Sequence, residues 1–291
     1  MYELIQASEN CYYIDCPSKI GIIKINDTEV CLIDSGNNKD AGKRVLKIID
    51  ANGWTLKMIL NTHSHGDHIG GNRYLQDQTG CKIYAPTIEC DFTNHTILEP
   101  AFLFGAYPPR ELRHKFLVAE ESNAQILTPD ILPNGIEIIP LQGHFFDMVG
   151  FKKDDVIYLA DCLSSKATLD KYRIGVIYDV KAYLNTLENV KNMTAKCFIP
   201  SHAEATENIK DLAQFNIDKV NEICGQILAF CKEPILFEML LQKLFNEYDL
   251  QMSFEQYVLV GSTVRSYLVY LKEQEKITAT FKDNMLLWKA I

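Results

Sequence analysis

The chain has 291 residues, of which 47% are hydrophobic and 23% charged, the balance of a globular protein with one large domain or two. No apolar run reaches the roughly 18 residues of a membrane span, and the N-terminus lacks the basic start and apolar stretch of a signal peptide, so we expect a cytoplasmic protein without membrane contact. The net charge of −9 opposes phosphate backbones and argues against a nucleic-acid partner, although a local basic patch stays compatible with it.

The first part of the chain predicts short strands separated by polar turns and then alternating helices and strands. The predicted strands cover residues 2–6, 11–15, 20–25, 30–34, 56–61 and 81–85. A helix is predicted over residues 38–54, because Val45 and Ile49 belong to an apolar stripe and Gly53 lies where a helix would end. A shorter helix over residues 70–80 ends at Gly80. The pattern indicates a mixed α/β fold.

Residues 88–122 interrupt this pattern and are typical of an inserted lid, since "FLFGAYPPRELRHKFL" combines prolines, aromatic residues and basic residues. The basic run Arg110, Arg113, His114 and Lys115 would either hold an anionic group of a substrate or form a solvated face. Strands are then predicted over residues 125–128, 136–140, 148–152, 156–160 and 196–204, with a helix over 179–193 before the last of them.

The chain is predicted to be mostly helical from about Thr206, with a break at Pro234. Three helical stretches are expected after the break: residues 235–247, a short helix that Ser253 and Gln256 open as a capping box, and residues 258–275. Two strands follow, over residues 277–281 and 285–289. We therefore predict a catalytic domain over residues 1–232 and a small helical, winged-helix-like domain over residues 233–291.

The stretch "HSHGDH" places four possible metal ligands in six residues. Imidazole nitrogen and carboxylate oxygen are ligands for zinc and similar metals. The nine cysteines are scattered without a CxxC pair, which indicates reduced thiols and no cysteine metal cluster. Four ligands so close together exceed what one open catalytic metal needs, so the stretch favours two metals that share a cleft. The four residues are His63, His65, Asp67 and His68.

Further ligands follow apolar strands elsewhere in the chain. His144 lies in "LQGHF", Asp161 in "VIYLADC" and His202 in "CFIPSHAE", and Asp34 in "VCLIDSG" occupies a similar place. Each of these residues alone is compatible with an ordinary role, such as a surface histidine, a helix cap or a turn. Because all follow strands, we expect them to meet at one edge of a sheet.

This ordered set of motifs resembles the metallo-β-lactamase superfamily. The resemblance spans residues 34–202 and implies an αββα sandwich with two metals, two zinc ions or else iron or manganese, at one edge. It implies that Asp34 orients the ligands, and that Asp67 handles a proton and orients the attacking water. It assigns His63, His65 and His144 to the first metal, Asp67, His68 and His202 to the second, and Asp161 to a bridging position.

The resemblance implies a hydrolase in which a metal-bound hydroxide attacks a small, anionic ester or thioester. Glyoxalase II-type thioesterases share the segment Asp-x-Leu, here Asp161-Cys162-Leu163. They usually carry Thr-Pro-Gly-His in the third motif, where this chain has "GHFFDMVG", which argues against a glutathione thioester. Drug-inactivating β-lactamases generally have Cys or His in place of Asp161, which together with the lack of an export signal argues against antibiotic hydrolysis.

Two alternatives use the same residues. One is a metal-dependent endoribonuclease or phosphodiesterase, because some superfamily members with a winged-helix-like region act on RNA. The other is a mono-iron redox protein, such as a persulfide dioxygenase, with its iron held by His63, His65, His144 or Asp161. The predicted helix over 258–275 carries acidic as well as basic residues, which favours packing on the catalytic domain or a homodimer contact over nucleic-acid recognition.

Overall fold

The computed structural model describes residues 2–291, and its first sheet contains seven strands in sequence order. Each of the first four strands is antiparallel to its neighbour. The fourth to the seventh strand run parallel to one another. The strands are β1 (Glu3–Gln6), β2 (Cys11–Asp15), β3 (Ile20–Lys24), β4 (Glu29–Ile33), β5 (Thr55–Leu60), β6 (Lys82–Ala85) and β7 (Ala124–Ile126).

Five helices belong to this half of the molecule: α1 (Lys39–Ala51), α2 (Gly66–Ile69), α3 (Asn72–Thr79), α4 (Thr87–Asn94) and α5 (Leu98–Phe104). Helix α1 forms as the sequence predicts. The side chain of Asn38 accepts a hydrogen bond from the Ala41 N–H and so caps the helix. Val45 and Ile49 are buried against the sheet in the same apolar cluster as Ile59. Burial of this stripe fixes α1 on the outer face of the sheet.

The second sheet has four strands in the order β11-β10-β9-β8, and the last two of its three helices cover its outer face. The strands are β8 (Glu137–Pro140), β9 (Val149–Lys153), β10 (Val156–Ser164) and β11 (Cys197–His202), and the helices are α6 (Lys166–Tyr172), α7 (Val180–Lys191) and α8 (Lys210–Phe230). The sequence did not predict α6. It has seven residues, and Leu169 is its one buried side chain, so it gives almost no apolar periodicity.

The two sheets pack face to face. Ile33 and Leu60 of the first sheet share a buried cluster with Phe151 and Ile199 of the second. The hydroxyl of Tyr158 donates across this interface to backbone carbonyls of the first sheet. With helices on both outer faces, the architecture is the predicted αββα sandwich, which confirms the fold class.

The chain ends with α9 (Phe237–Glu247), α10 (Phe254–Glu273) and a hairpin of β12 (Ile277–Lys282) and β13 (Met285–Ala290). Ser253 caps α10 by accepting from the Gln256 N–H, as the capping box predicts. The prediction of two helices in this region is wrong, because one continuous helix runs from Phe254 to Glu273. The division at residue 232 and the winged-helix-like character stay predictions. No helix within residues 2–291 is long and apolar enough to cross a membrane.

The predicted lid, residues 88–122, contains most of α4, all of α5 and a single 3-10 turn at Arg110–Leu112. Helix α4 packs on β6 and β7 and buries Glu89, Cys90 and Thr93, so this part of the segment belongs to the folded core. Further on, the carbonyl of Phe116 would lie 2.8 Å from a Cβ atom at Gly66, which requires glycine there. The segment therefore covers the loop that carries the histidine motif.

Candidate metal centre

The structure brings all seven predicted metal ligands together at one edge of the sandwich. Three groups of side chains have ligand atoms within 4.8 Å of one another. The groups are His63, His65 and His144; His63, His68 and Asp161; and Asp67, His68 and His202. The first and third contain the same residues as the sets that the family resemblance implies for two separate metals.

Strand ends and the loops after them position these residues. His63 follows β5, and His65 is the N-cap residue of the short helix α2, which carries Asp67 and His68. The other ligands come from the second sheet: His144 lies between β8 and β9, and His202 is the last residue of β11. Asp161 lies inside β10, which extends four residues beyond its predicted end.

The backbone is strained at two places beside the cluster. Ala160 has a φ of 49° in the middle of β10, where the pairing with β11 also shifts register. Asp34 has a φ of 62° just after β4. Non-glycine residues adopt this conformation rarely, and it persists where surrounding contacts enforce it. Here it directs the side chains of Asp34 and Asp161 toward the histidines.

The ring nitrogens of the first group converge on one point. The Nδ1 atom of His144 lies 2.9 Å from the carbonyl oxygen of Val176, so Nδ1 carries the proton. Nε2 is then unprotonated, and its lone pair is available to a ligand. That Nε2 lies 3.0 Å from Nδ1 of His65, whose other nitrogen is 3.8 Å from Glu99. Nε2 of His63 is buried and has no hydrogen-bond partner among the described residues. A cation would satisfy all three atoms.

The second group has the same design. Nδ1 of His68 donates to Asp34 at 2.8 Å, which turns Nε2 toward the cluster, and that Nε2 has no hydrogen-bond partner in the part of the chain that the structure describes. Nδ1 of His202 donates to the carbonyl of Pro17 at 3.0 Å, and its Nε2 lies 3.2 Å from Asp67. Both histidines therefore present an inward nitrogen that a backbone or carboxylate partner fixes from behind.

Asp161 lies between the two groups. Its Oδ1 is 3.1 Å from Nε2 of His68, with angles that do not make a hydrogen bond. Its Oδ2 is 3.1 Å from Nε2 of His202 and 3.7 Å from Nε2 of His144. One carboxylate thus reaches residues of both groups, as a bridging ligand requires.

The electrostatics differ between the two groups. Burial lowers the pKa of His63 and His144 and brings the pKa of His65 to about 3, so these imidazoles are neutral, the state that binds a metal. Burial also opposes the charged form of His202, but the carboxylates of Asp161 and Asp67 outweigh it and raise the pKa to about 10. The carboxylates of the cluster therefore attract positive charge.

These observations fit a pair of divalent ions. Buried ring nitrogens without partners face one another, a carboxylate lies between the groups, and the donors are nitrogen and oxygen atoms. The cysteines are all free, and none belongs to the three ligand groups.

Asp34 occupies the orienting position that the sequence predicted, since it accepts hydrogen bonds from Thr62 as well as His68. Three other contacts had no signal in the sequence. The hydroxyl of Ser18 donates to Asp67 at 2.6 Å, Glu99 faces His65, and Glu89 bonds to the loop between His63 and His65. Their partners are 25 or more residues away in the chain, so no local spacing marks them.

A cleft of about 620 Å³ opens beside the second group. Its lining residues are Pro17, Ser18, Asn37, Asp67, Phe116, Ala167, Thr168, Lys171, Tyr172 and His202. The basic run of the lid does not act as one surface: Arg113 stacks on Tyr107, and His114 lies 3.4 Å from Glu255. Lys171, on the unpredicted helix α6, is the lysine that lines the cleft.

Comparison with known proteins agrees with this architecture. A sequence model described as the Metallo-beta-lactamase superfamily matches residues 10–202, well over half of the chain. The chain belongs to the metallo-β-lactamase superfamily. This membership confirms the predicted family and implies that the cluster binds divalent metal.

Two solved structures share the fold over almost the whole chain. A metallo-β-lactamase family protein from Thermus thermophilus has a TM-score of 0.73 and 16% identity, with 98% of this chain and 100% of that chain covered. A β-lactamase domain protein from Burkholderia ambifaria has a TM-score of 0.71 and 13% identity, with 99% and 94% covered. At such identities the likeness shows the fold alone.

The curated relatives are similar over short segments. A hydroxyacylglutathione hydrolase from Methylococcus capsulatus is 56% identical over 39 residues, which is 13% of this chain and 15% of that relative. Another from Erythrobacter litoralis is 51% identical over 45 residues, 16% of this chain and 18% of that relative. The chain thus matches less than a fifth of the length of either relative.

Proposed function

We propose that the chain hydrolyses a small, anionic ester or thioester at a centre of two zinc ions. The observation that carries this proposal is the pair of three-residue ligand groups with Asp161 between them. Five imidazoles and two carboxylates suit zinc, and iron or manganese would also accept such donors.

The geometry supports an assignment of residues to the two ions. The two groups would each hold one ion, and Asp161 would contact both. When bound, the ions supply Lewis-acid activation of a water nucleophile and of the substrate carbonyl. Asp67 lines the cleft, and Ser18 fixes its Oδ2 atom by a hydrogen bond. We assign to Asp67 the orientation of the attacking water and the acceptance of its proton.

The cleft supports an anionic substrate with an apolar part. Lys171 lines the cleft together with Phe116 and Tyr172, and its ammonium donates to the Tyr172 hydroxyl at 3.0 Å. The curated relatives named hydroxyacylglutathione hydrolase favour a thioester. The motif "GHFFDMVG" departs from the glyoxalase II pattern, so we propose a thioester other than that of glutathione. A cytoplasmic location, a small-molecule partner and a homodimer stay predictions.

The test combines metal analysis with a substrate panel. We expect two zinc ions per chain, and hydrolysis of an anionic thioester or ester that Asp67→Asn lowers by about two to four orders of magnitude, the contribution of a general base. The panel includes a phosphodiester, RNA and a persulfide to cover the alternatives. Asp40→Asn, on the exposed start of α1, is the control and should turn over normally.

Full turnover by the Asp67→Asn variant would refute the role of this carboxylate. One iron per chain with consumption of a persulfide, or cleavage of RNA without hydrolysis of any ester, would refute the proposal itself.

A further inference from the structure

Glu89 is a fully buried carboxyl group that the sequence placed in the lid. It lies on α4, and its side chain makes hydrogen bonds to two separate loops. Oε2 accepts from the backbone N–H of Ser64 at 3.0 Å and is 2.6 Å from the Ser64 hydroxyl. Oε1 accepts from the backbone N–H of Asp147 at 3.2 Å. One side chain thus links two loops that are 83 residues apart in sequence, from position 64 to position 147.

These two loops carry all three histidines of the first group. Ser64 stands between His63 and His65, and Asp147 follows His144 by three residues. The carboxylate of Asp147 returns hydrogen bonds to α4, because it accepts from the backbone N–H groups of Ile88 and Glu89. The contact is therefore reciprocal, and it holds both loops against the same helix.

Burial of a carboxyl group is costly, and hydrogen bonds to both of its oxygens offset that cost. This arrangement fixes the spacing of the two loops. The spacing in turn sets the 3.0 Å distance between Nδ1 of His65 and Nε2 of His144. Metal–nitrogen distances tolerate deviations of only about 0.2 Å, so the loop spacing affects metal affinity directly. We propose that Glu89 is a positioning residue that sets the geometry of the first metal group, an inference that rests on the proposed two-metal centre.

The test substitution is Glu89→Gln. Glutamine has one side-chain oxygen, so either the Ser64 or the Asp147 backbone N–H must face an amide NH₂ group and lose its acceptor. We expect the variant to bind one of two Zn²⁺ ions about 10- to 100-fold more weakly, the usual effect of removing an outer partner of metal ligands. Competition with a chromophoric chelator measures both dissociation constants without any substrate.

A second background identifies the affected ion. His202→Ala removes a ligand of the second group, so the remaining tight ion is bound by the first group. Glu89→Gln added to this background should weaken that ion by the same factor. Glu111→Gln is the matched control, because Glu111 is an exposed glutamate of the same lid segment and should leave both affinities unchanged.

Unchanged affinity for both ions in a folded Glu89→Gln protein would overturn the inference, and so would equal weakening of the two ions. If the Glu89→Gln variant does not fold, Ser64→Ala provides the test instead. It removes the hydrogen bond from the Ser64 hydroxyl to Glu89 and keeps the one from the Ser64 backbone N–H. We then expect a smaller loss, of a few-fold, at the first ion, and no loss would overturn the inference. Wild-type protein that fails to bind two zinc ions would instead refute the proposed function.

Discussion

At the scale of single residues, Glu89 also couples protonation to stability. Burial raises the pKa of its carboxyl group to about 8, with the hydrogen bonds from Ser64 opposing the rise. In the neutral form the group can donate its proton to the Ser64 hydroxyl, so protonation need not break the link between the loops. The folded state therefore binds this proton more tightly than the unfolded state, in which the pKa is near 4.5.

A pH dependence of stability follows from this difference. A raised pKa contributes stability that is fully present below about pH 4.5 and is lost as the pH rises through about 8. Glutamine does not ionise, so Glu89→Gln lacks this loss. The Tm of the wild type minus that of the variant, both without metal, should fall by roughly several degrees from about pH 5 to about pH 9. Parallel Tm curves over this interval would show that folding does not raise the pKa of Glu89.

At the scale of elements, the lid and helix α10 form a joint structure. Leu112 and Leu117 of the lid are buried with Val258 of α10 in a small apolar cluster. The rings of Phe104 and Phe254 lie 5.8 Å apart beside it. The lid is thus attached to the C-terminal region as well as to the first sheet, and this attachment places the Phe116 side chain at the cleft.

Removal of one side chain should loosen this attachment. Leu112→Ala leaves a cavity in a cluster with few members, so we expect a cost at the lower end of about 2–5 kcal/mol. The loss should appear as faster amide hydrogen exchange over residues 98–118, with little change in the two sheets. Leu98→Ala, at an exposed position of α5, is the control. Unchanged exchange in the Leu112→Ala protein would show that the cluster does not hold the lid.

The sequence predicted the elements whose signals are local. Strand ends and the motif "HSHGDH" marked the seven residues that the structure brings together, because their chemistry and order are recognisable without long-range contacts. It missed α6, whose single buried residue gives no apolar periodicity, and it divided α10 where the apolar pattern changes around Tyr257. Glu89 and Glu99 resemble exposed helix residues in sequence, since only the folded chain brings their partners close.

At the scale of the whole molecule, the C-terminal region shares a core with the second sheet. Leu240 and Leu268 are buried in the same cluster as Ile227 of α8 and Leu159 of β10. Helices α9 and α10 therefore cover apolar side chains that the catalytic region would otherwise expose to water.

Truncation tests how far the predicted domain of residues 1–232 is independent. A chain that ends after Lys232 would expose the outer face of α8, so we expect its unfolding temperature to fall by roughly 10 °C or more, with increased aggregation. A chain that lacks only the exposed Ile291 is the control. Thermal unfolding of the truncated chain at the wild-type temperature would show that residues 233–291 add no stability to the rest.

Four of the seven donor side chains lie between positions 63 and 68, but the other three are at positions 144, 161 and 202, so an unfolded chain would not hold either complete group together. Divalent ions held by these groups would therefore bind the folded state almost exclusively and would act as reversible cross-links between the two sheets. Above the dissociation constant of a site, each tenfold rise in free ion concentration adds about 1.4 kcal/mol to the free energy of unfolding. The lifetime of the folded protein in a cell would then follow the supply of metal, independently of any substrate.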